Sequence, residues 1–297
     1  MQALDGKKAE GNVLDKKWIA KMSSIHWVCG VAATLTIWFA ISFAGQNQPA
    51  VTPSIANEHS TFQDPAVPLV ALPTSFASRR DKKEIRLDKT GVAELANING
   101  PGCIRHIWFL TINNLDKLTL EITVDDEKTP QVRAPLNSFF GVMQEREPYL
   151  VNCAAFTVLP NPEASKKDPL IPGTPGYNLF LPIPFRKSCR ILVRGKEGAF
   201  LGTVVDWHKY PLNTPLTPYR LHAEHRRFPE TPPRGNTVEM AKVSGAGFIA
   251  GFVTGYIQKN KTDMVFHTGG IKILLDEKTE PYTIEGNNVE DDYGFTW

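Results

Sequence analysis

The chain has few cysteines and little excess charge, and these two shortages exclude several kinds of protein. Its 297 residues include only 4 cysteines, none paired at Cys-x-x-Cys spacing, so we expect no structural zinc site. Three of them lie beyond the amino-terminal segment; at most one disulfide could form there, and we expect small buried thiols instead. The 33 basic and 31 acidic residues almost cancel. We therefore expect no nucleic-acid partner, which would require a concentration of positive charge.

The small net charge is located in the first 21 residues. These contain five lysines and three acidic residues, which leaves 28 basic and 28 acidic residues in the rest of the chain. No Asp, Glu, Lys or Arg occurs over 22–57, and 27–44 is apolar apart from two threonines and one serine. A helix of this length spans about 27 Å, close to the thickness of a bilayer core. The sequence therefore predicts a basic region over 1–24 and one hydrophobic helix over 25–45.

Two roles fit this helix, a cleaved signal peptide and a retained membrane anchor. Lysines before it and none directly after it indicate an amino terminus in the cytoplasm. The small residues Ser42 and Ala44 have the spacing that a signal peptidase recognises. Both roles predict an exported protein whose only membrane contact is through 25–45. A buried core helix is disfavoured because the segment has no polar face.

The rest of the chain has the pattern of short strands. Residues 46–75 contain Pro, Ser and Thr without a period and are predicted to be a linker. In 117–125 apolar and polar residues alternate, which indicates a half-buried strand. Six other β-rich runs are similar, namely 103–111, 151–159, 189–194, 201–207, 247–258 and 272–275. Thirteen prolines over 160–233 exclude long helices there. We predict an all-β domain over 76–297, a sandwich of the jelly-roll type.

Two groups of residues are candidates for chemistry. His222 and His225 are three apart in an extended segment, whereas a helical zinc pair needs a spacing of four, so we expect neither a metal nor a cofactor. Near the carboxyl terminus, Glu290, Asp291 and Asp292 precede three aromatic residues. Paired carboxylates and aromatic faces are typical of glycosidase sites. The alternatives are a solvated acidic turn and a Ca²⁺ loop at Asp291 and Asp292.

Several stretches, in this order along the chain, resemble the DUF2961 family, now glycoside hydrolase family 172. They are 100–108 (GPGCIRHIW), 124–127 (VDDE), 132–141 (VRAPLNSFFG), 181–188 (LPIPFRKS), 221–223 (LHA), 245–251 (GAGFIAG), 276–277 (DE) and 290–291 (ED). The resemblance runs from about Phe76 to Trp297, and the ordered set is far more specific than any one stretch.

This resemblance implies a double jelly roll that assembles as homotrimers or multiples of trimers. It also implies a retaining hydrolase acting on α-fructofuranosides or α-arabinofuranosides. In such an enzyme one carboxylate attacks the anomeric carbon while another protonates the leaving oxygen. The family pattern places the nucleophile at Glu290. We assign the adjoining catalytic carboxylate to Asp291, and substrate contacts to further residues, namely Trp108, Asp276, His222, Tyr293 and Trp297.

The sequence departs from the family pattern at the acid/base. That position is Thr268 here, and a threonine cannot act as a general acid near neutral pH. Asp291, Glu285 or a carboxylate of another subunit could replace it, and otherwise the enzyme is weak or inactive. The chain also stops at Trp297, so we expect the second jelly roll to be incomplete. The alternative functions are a non-catalytic carbohydrate-binding protein and a purely structural jelly roll.

Overall fold

A computed structural model describes most of the chain beyond residue 71 and the backbone of one earlier strand. The described residues are 34–43, 72–112, 117–143, 149–160, 175–229, 236–245, 247–256, 269–276 and 284–288. The chain divides into two units, Ala32–Ile257 and a second composed of Met1–Val31 with Gln258–Trp297. The domain over 76–297 and the linker over 46–75 stay predictions.

The larger unit contains two seven-stranded sheets. The first sheet has, in spatial order, β14 (Gly247–Gly255), β1 (Thr34–Phe43), β13 (Tyr219–Phe228), β6 (Val132–Pro135), β5 (Thr119–Val124), β11 (Ser188–Arg194) and β3 (Val92–Asn99). The second has β2 (Ala77–Arg86), β12 (Phe200–Lys209), β4 (Gly102–Ile112), β9 (Gly176–Leu179), β8 (Phe156–Leu159) and β7 (Val151–Asn152), with β10 (Ile183–Phe185) also on β4. Neighbouring strands are antiparallel except β13 and β6.

The core of this unit forms from alternate residues of the strands. Leu120, Ile122 and Val124 of β5 are buried, as are Ile107 and Phe109 of β4. Period-two alternation thus directs one face of each strand into a shared interior, and the opposite face meets solvent. The prediction of an all-β sandwich is confirmed, and the strand predicted over 117–125 is observed as β5.

A short helix, α1 (Leu136–Phe139), closes part of this core within one of the stretches that carry the family resemblance. The Phe140 ring directly after it packs edge-on against Phe139, Tyr177 and Phe109, with ring centroids 5.2, 5.3 and 5.8 Å apart. The Tyr177 hydroxyl donates to Asn137 Oδ1 at 3.2 Å. That stretch is therefore a core element in this structure.

The prediction of a hydrophobic helix over 25–45 is wrong for ten of these residues. Thr34–Phe43 form β1, whose backbone pairs with β13 on one side and β14 on the other. Most of these residues are β-branched or aromatic, and such residues favour strands. The remaining residues of 25–45 lie outside the described part. Within the described part, no helix combines the length and apolar character needed to cross a membrane.

The smaller unit has one described element, a two-stranded sheet. Its strands are β15 (Lys272–Ile273) and β16 (Ile284–Glu285), which pair antiparallel. An ion pair between Lys272 Nζ and Glu285 Oε1, at 3.1 Å, joins the two strands on one side. Glu285, one of the candidate acid/base residues, is therefore engaged by a lysine.

Candidate functional site

The outer face of the second sheet brings together a set of polar and aromatic side chains. Across three strands, Arg80 of β2 lies opposite Asp206 of β12, which lies opposite His106 of β4. In the next row, Trp108 of β4 lies between Val204 of β12 and Asn178 of β9. These side chains alternate with core residues and so point away from the interior.

A β-bulge changes which residues of β4 face outward. The pairing passes from Asp206–His106 directly to Trp207–Ile104, so Arg105 is the extra residue on β4. An extra residue shifts the alternation of the strand that carries it, so Ile104 is buried whereas Arg105 and His106 are both partly exposed. On β12 the ordinary alternation holds. Trp207 packs against the core, with its ring centroid 6.3 Å from that of Phe185, and its neighbour Asp206 faces outward.

Asp206 is held by two cationic or polar partners. Arg80 donates through Nε to Oδ1 at 2.6 Å and through Nη2 to Oδ2 at 2.9 Å. His106 Nδ1 lies 3.0 Å from Oδ2. The hydrogen bond from Arg80 lowers the pKa of Asp206 despite partial burial, and the His106 contact lowers it further. Asp206 is therefore a carboxylate at neutral pH, suited to accepting hydrogen bonds and unsuited to donating a proton.

His106 connects this carboxylate to an amide and an aromatic ring. Its Nε2 lies 3.1 Å from Asn178 Oδ1, and its ring stacks on Phe180 with centroids 5.2 Å apart and planes 16° from parallel. His106 therefore links the carboxylate of Asp206 to the side chain of Asn178 across three strands.

Trp108 lies close to two glycines on the neighbouring strands. A Cβ built on Gly176 of β9 would lie 3.1 Å from the indole Nε1, and one built on Gly202 of β12 would lie 3.8 Å from Cζ3. These two atoms belong to opposite edges of the indole, so the ring approaches both neighbouring strands. Trp108 is only partly buried.

A second polar cluster lies at the turn after β5. Asp125 and Asp126 both have positive φ, 58° and 60°, as a two-residue turn of this kind requires. Asp125 Oδ1 accepts from the backbone N–H groups of Arg186 and Lys187 at 2.6 and 2.7 Å. Its Oδ2 accepts from Nε and Nη2 of Arg220 on β13.

All four partners of Asp125 are therefore protein groups, and they join three separate parts of the larger unit. The carboxylate has no coordination left for a substrate. Although Asp125 belongs to one of the stretches that carry the resemblance, its geometry assigns it a structural role.

Of the predicted site residues, the structure describes Trp108, His222 and Asp276. Trp108 is on the outer face of the second sheet, whereas His222 is on the outward side of β13 in the first sheet. Burial lowers the pKa of His222, and nearby Glu127 opposes that effect. Asp276, with φ 58°, is exposed in the smaller unit. The other predicted site residues lie outside the described part, namely Thr268, Glu290, Asp291, Tyr293 and Trp297.

The residues around Trp108 were not anticipated from the sequence. His106 lies in the same predicted strand, two positions away, and this spacing is the one signal that it shares a face with Trp108. Asp206, Asn178 and Arg80 come from strands far apart in the chain, and only the sheet register places them beside His106.

Comparison with known proteins identifies the family. No curated protein matches the chain. One solved structure, described as the cyanophage Pam1 capsid asymmetric unit, matches with 10% identity and a TM-score of 0.25 over 55% of this chain and 100% of that chain. This similarity is too low to support an argument. A family model described as the GH172 first beta-sandwich domain matches residues 74–227, just over half of the chain, and the protein therefore belongs to the GH172 family.

Proposed function

We propose that this protein is a glycoside hydrolase that acts on α-fructofuranosides or α-arabinofuranosides by a retaining mechanism. The observation that carries the proposal is the GH172 match over 74–227. Glu290 is the proposed nucleophile, because it occupies the family's position within an acidic and aromatic stretch. It attacks the anomeric carbon to form a glycosyl ester, which water then hydrolyses.

Four carboxylates of the sandwich are poor candidates for the nucleophile because arginines pair with them. Asp206 pairs with Arg80, Asp125 with Arg220 and Glu94 with Arg190. Glu121 is buried on the outer side of β5 between Arg133 and Arg194, at 3.3 and 2.7 Å. A nucleophilic carboxylate needs a lone pair directed at the substrate. These four direct theirs at guanidinium groups and are therefore poorly placed to attack a sugar.

Thr268 at the acid/base position sets the expected substrate dependence. Without a general acid, departure of a sugar alkoxide is slow, whereas a leaving group that is already acidic departs without help. We therefore expect 4-nitrophenyl α-arabinofuranoside to be cleaved and an α-arabinofuranosyl disaccharide to be cleaved far more slowly. Thr268→Glu should raise the rate on the disaccharide more than the rate on the nitrophenyl substrate.

The test is steady-state hydrolysis of both substrates by the full chain. Glu290→Gln should abolish turnover, because an amide is a poor nucleophile. Glu197→Gln, in the exposed turn before β12, is the matched control and should leave it unchanged. Absence of turnover from a folded sample, or turnover that survives Glu290→Gln, would contradict the proposal.

A second candidate function is non-catalytic carbohydrate binding, which the threonine at position 268 favours. It predicts saturable binding of the same furanosides with no release of 4-nitrophenol. It also predicts that Thr268→Glu leaves the protein inactive. Isothermal titration calorimetry together with the hydrolysis assay separates the two functions.

The proposed assembly and location have their own tests. We propose a homotrimer or a multiple of trimers, which light scattering would show as a multiple of three times 33.0 kDa. We propose export through 25–45 as well. Cleavage before Gly45 would remove β1 from between β13 and β14, so the mass of the mature protein shows whether this strand is retained.

A further inference from the structure

We propose that the pairing of β1 with β13 is acid-sensitive, and that His225 on β13 is the group that makes it so. While the imidazole is neutral, β1 stays in the first sheet, and protonation of His225 releases it. The observation behind this inference is a buried ring nitrogen of His225 that has no hydrogen-bond partner. The inference does not depend on the proposed hydrolysis.

His225 lies on the core-facing side of β13. In this strand Leu221 and Ala223 belong to the hydrophobic core, and His225 is two residues beyond Ala223 on the same face. The backbone of His225 pairs with that of Ile37 in β1. A titratable ring therefore stands among the inward-facing residues of β13, directly beside the backbone of β1.

The Nε2 atom of His225 is enclosed, although the side chain as a whole is half-buried. Within the described part of the chain, no hydrogen-bond donor or acceptor partners this atom. A neutral imidazole tolerates the position because it can carry its hydrogen on Nδ1. An imidazolium carries hydrogen on both nitrogens, so protonation places an N–H at Nε2 without an acceptor. A buried donor without an acceptor destabilises the folded state.

The described elements that pack against β13 offer no carboxylate on this face to balance a positive charge. They are β1, β6, β10 and α1. Of these, β1, β10 and α1 contain no charged residue, and Arg133 of β6 is exposed on the outer face. On β13 itself Arg227 shares the face of His225, whereas Glu224 and Arg226 alternate with them and face outward. Burial lowers the pKa of His225, and Arg227 lowers it further.

The strand that yields to this charge is β1, because β13 depends on it at His225. The pairing of β13 with β6 is recorded at Ala223 and Val132 alone, whereas β1 pairs along all ten residues of Thr34–Phe43. Residues 44–76 separate β1 from β2 along the chain, so β1 can leave the sheet without displacing β2. Its departure opens the sheet beside His225 and admits water to the ring.

The same strand supplies a matched control in His222. The His222 backbone also pairs with β1, opposite Ala40, but its side chain is on the outward face of β13. Burial lowers the pKa of His222 as well, but Glu127 opposes that effect. A positive charge at His222 is therefore compensated, whereas one at His225 is not.

Hydrogen–deuterium exchange of the full chain, measured at pH 7.5 and pH 5.0 by mass spectrometry, tests the proposal. Exchange rates are corrected for the intrinsic effect of pH on amide exchange. The protection of amides in 34–43 should fall by up to about thirtyfold at pH 5.0, the gain in protonated open form for an imidazole whose pKa is about 6.5 in water. The sign follows because a lowered pKa in the folded state stabilises it above pH about 6.5, and this contribution is lost as the pH falls.

Variants assign the effect to one ring. His225→Leu should keep 34–43 protected at pH 5.0, whereas His222→Leu should lose protection as the wild type does. His225→Lys, which is charged at both pH values, should reduce protection at pH 7.5. Circular dichroism verifies that each variant is folded, and the comparison of His225→Leu with His222→Leu decides the question even if His225→Lys does not fold.

Three results would overturn the proposal. The first is equal protection of 34–43 at both pH values in the wild type. The second is a loss of protection at pH 5.0 that persists in His225→Leu. The third is an equal loss in peptides from β5, which would show general acid unfolding in place of the release of one strand.

Discussion

Replacement of Asp125 by alanine should be among the most destabilising single changes in the sandwich. The side chains of Arg220 and Asp125 are only 10% and 15% exposed. Without the carboxylate, Nε and Nη2 of the largely buried Arg220 guanidinium and the N–H groups of Arg186 and Lys187 lose their acceptor. Breaking a buried ion pair costs about 3–5 kcal/mol, and an unsatisfied N–H costs about 1–3 kcal/mol. Because water can reach part of the turn, we expect about 4 kcal/mol in total.

Urea denaturation followed by tryptophan fluorescence measures this cost. With a slope of about 3 kcal/mol/M, the midpoint should fall by about 1.3 M. Asp126→Ala is the matched control. Asp126 has a similar positive φ but is exposed, and among the described residues its carboxylate accepts a hydrogen bond from Ser188 Oγ alone. We expect this control to cost about 1–2 kcal/mol, chiefly from backbone strain.

A double variant tests the cause directly. Asp125→Ala with Arg220→Met removes the uncompensated charge and should regain part of the lost stability. If Asp125→Ala costs no more than Asp126→Ala, or if the double variant is no more stable than Asp125→Ala alone, the buried ion pair does not contribute as described.

Three further predictions follow from the described residues. Arg80 lowers the pKa of Asp206, so the charge of the Asp206 carboxylate stabilises the fold above pH about 4, and this contribution is lost as the pH falls through the lowered pKa. The difference in stability between wild type and Asp206→Asn should therefore shrink toward zero in acid. A difference that persists at low pH would contradict this. Burial raises the pKa of Cys103 to about 11 and also raises that of Cys189, whereas Cys153 is exposed. Iodoacetamide at mild alkaline pH should therefore label Cys153 and spare the other two thiols. Peptide mass spectrometry measures this labelling, and the opposite pattern would contradict the prediction. Gly91 and Gly198 both have positive φ, but a Cβ at Gly91 would lie 2.5 Å from Gly195 O, whereas one at Gly198 would meet open space. Gly91→Ala should therefore lower the thermal midpoint of unfolding more than Gly198→Ala does. Equal shifts of the two midpoints would exclude the steric explanation.

The strands that could be predicted from the sequence are those with one buried face. The run over 117–125 alternates clearly because its inner residues fill the core, and 189–194 and 201–207 were also recognised, as β11 and β12. β2 (Ala77–Arg86) was not recognised, because it is an edge strand rich in charged residues. Its place in the sheet comes from pairing with β12, and local sequence carries no sign of that.

In the amino-terminal segment the sequence pattern favoured the wrong type of element. An uninterrupted apolar run fits a buried strand and a membrane helix equally well by hydropathy. The β-branched and aromatic residues in 34–43 favour the strand, whereas the length of the apolar run favours a membrane-spanning helix. The thiols were better predicted, since Cys103 and Cys189 are buried and free, although Cys153 is exposed.

The candidate site could be predicted only in part. Trp108 was named from a resemblance, and Gly176 and Gly202 become its neighbours only through sheet pairing. The same pairing brings Asp206 to His106 across 100 residues of sequence. Long-range register of this kind is set by the whole sandwich, so a single sequence does not disclose it.

Mass spectrometry of the protein incubated with 4-nitrophenyl α-arabinofuranoside tests the central claim most directly. A retaining enzyme whose acid/base position is Thr268 should form its glycosyl ester readily and hydrolyse it slowly. The prediction is an adduct with the mass of one pentosyl residue, located on the peptide that contains Glu290 and absent from Glu290→Gln. Absence of any adduct together with no release of 4-nitrophenol, or an adduct on another residue, would contradict the account.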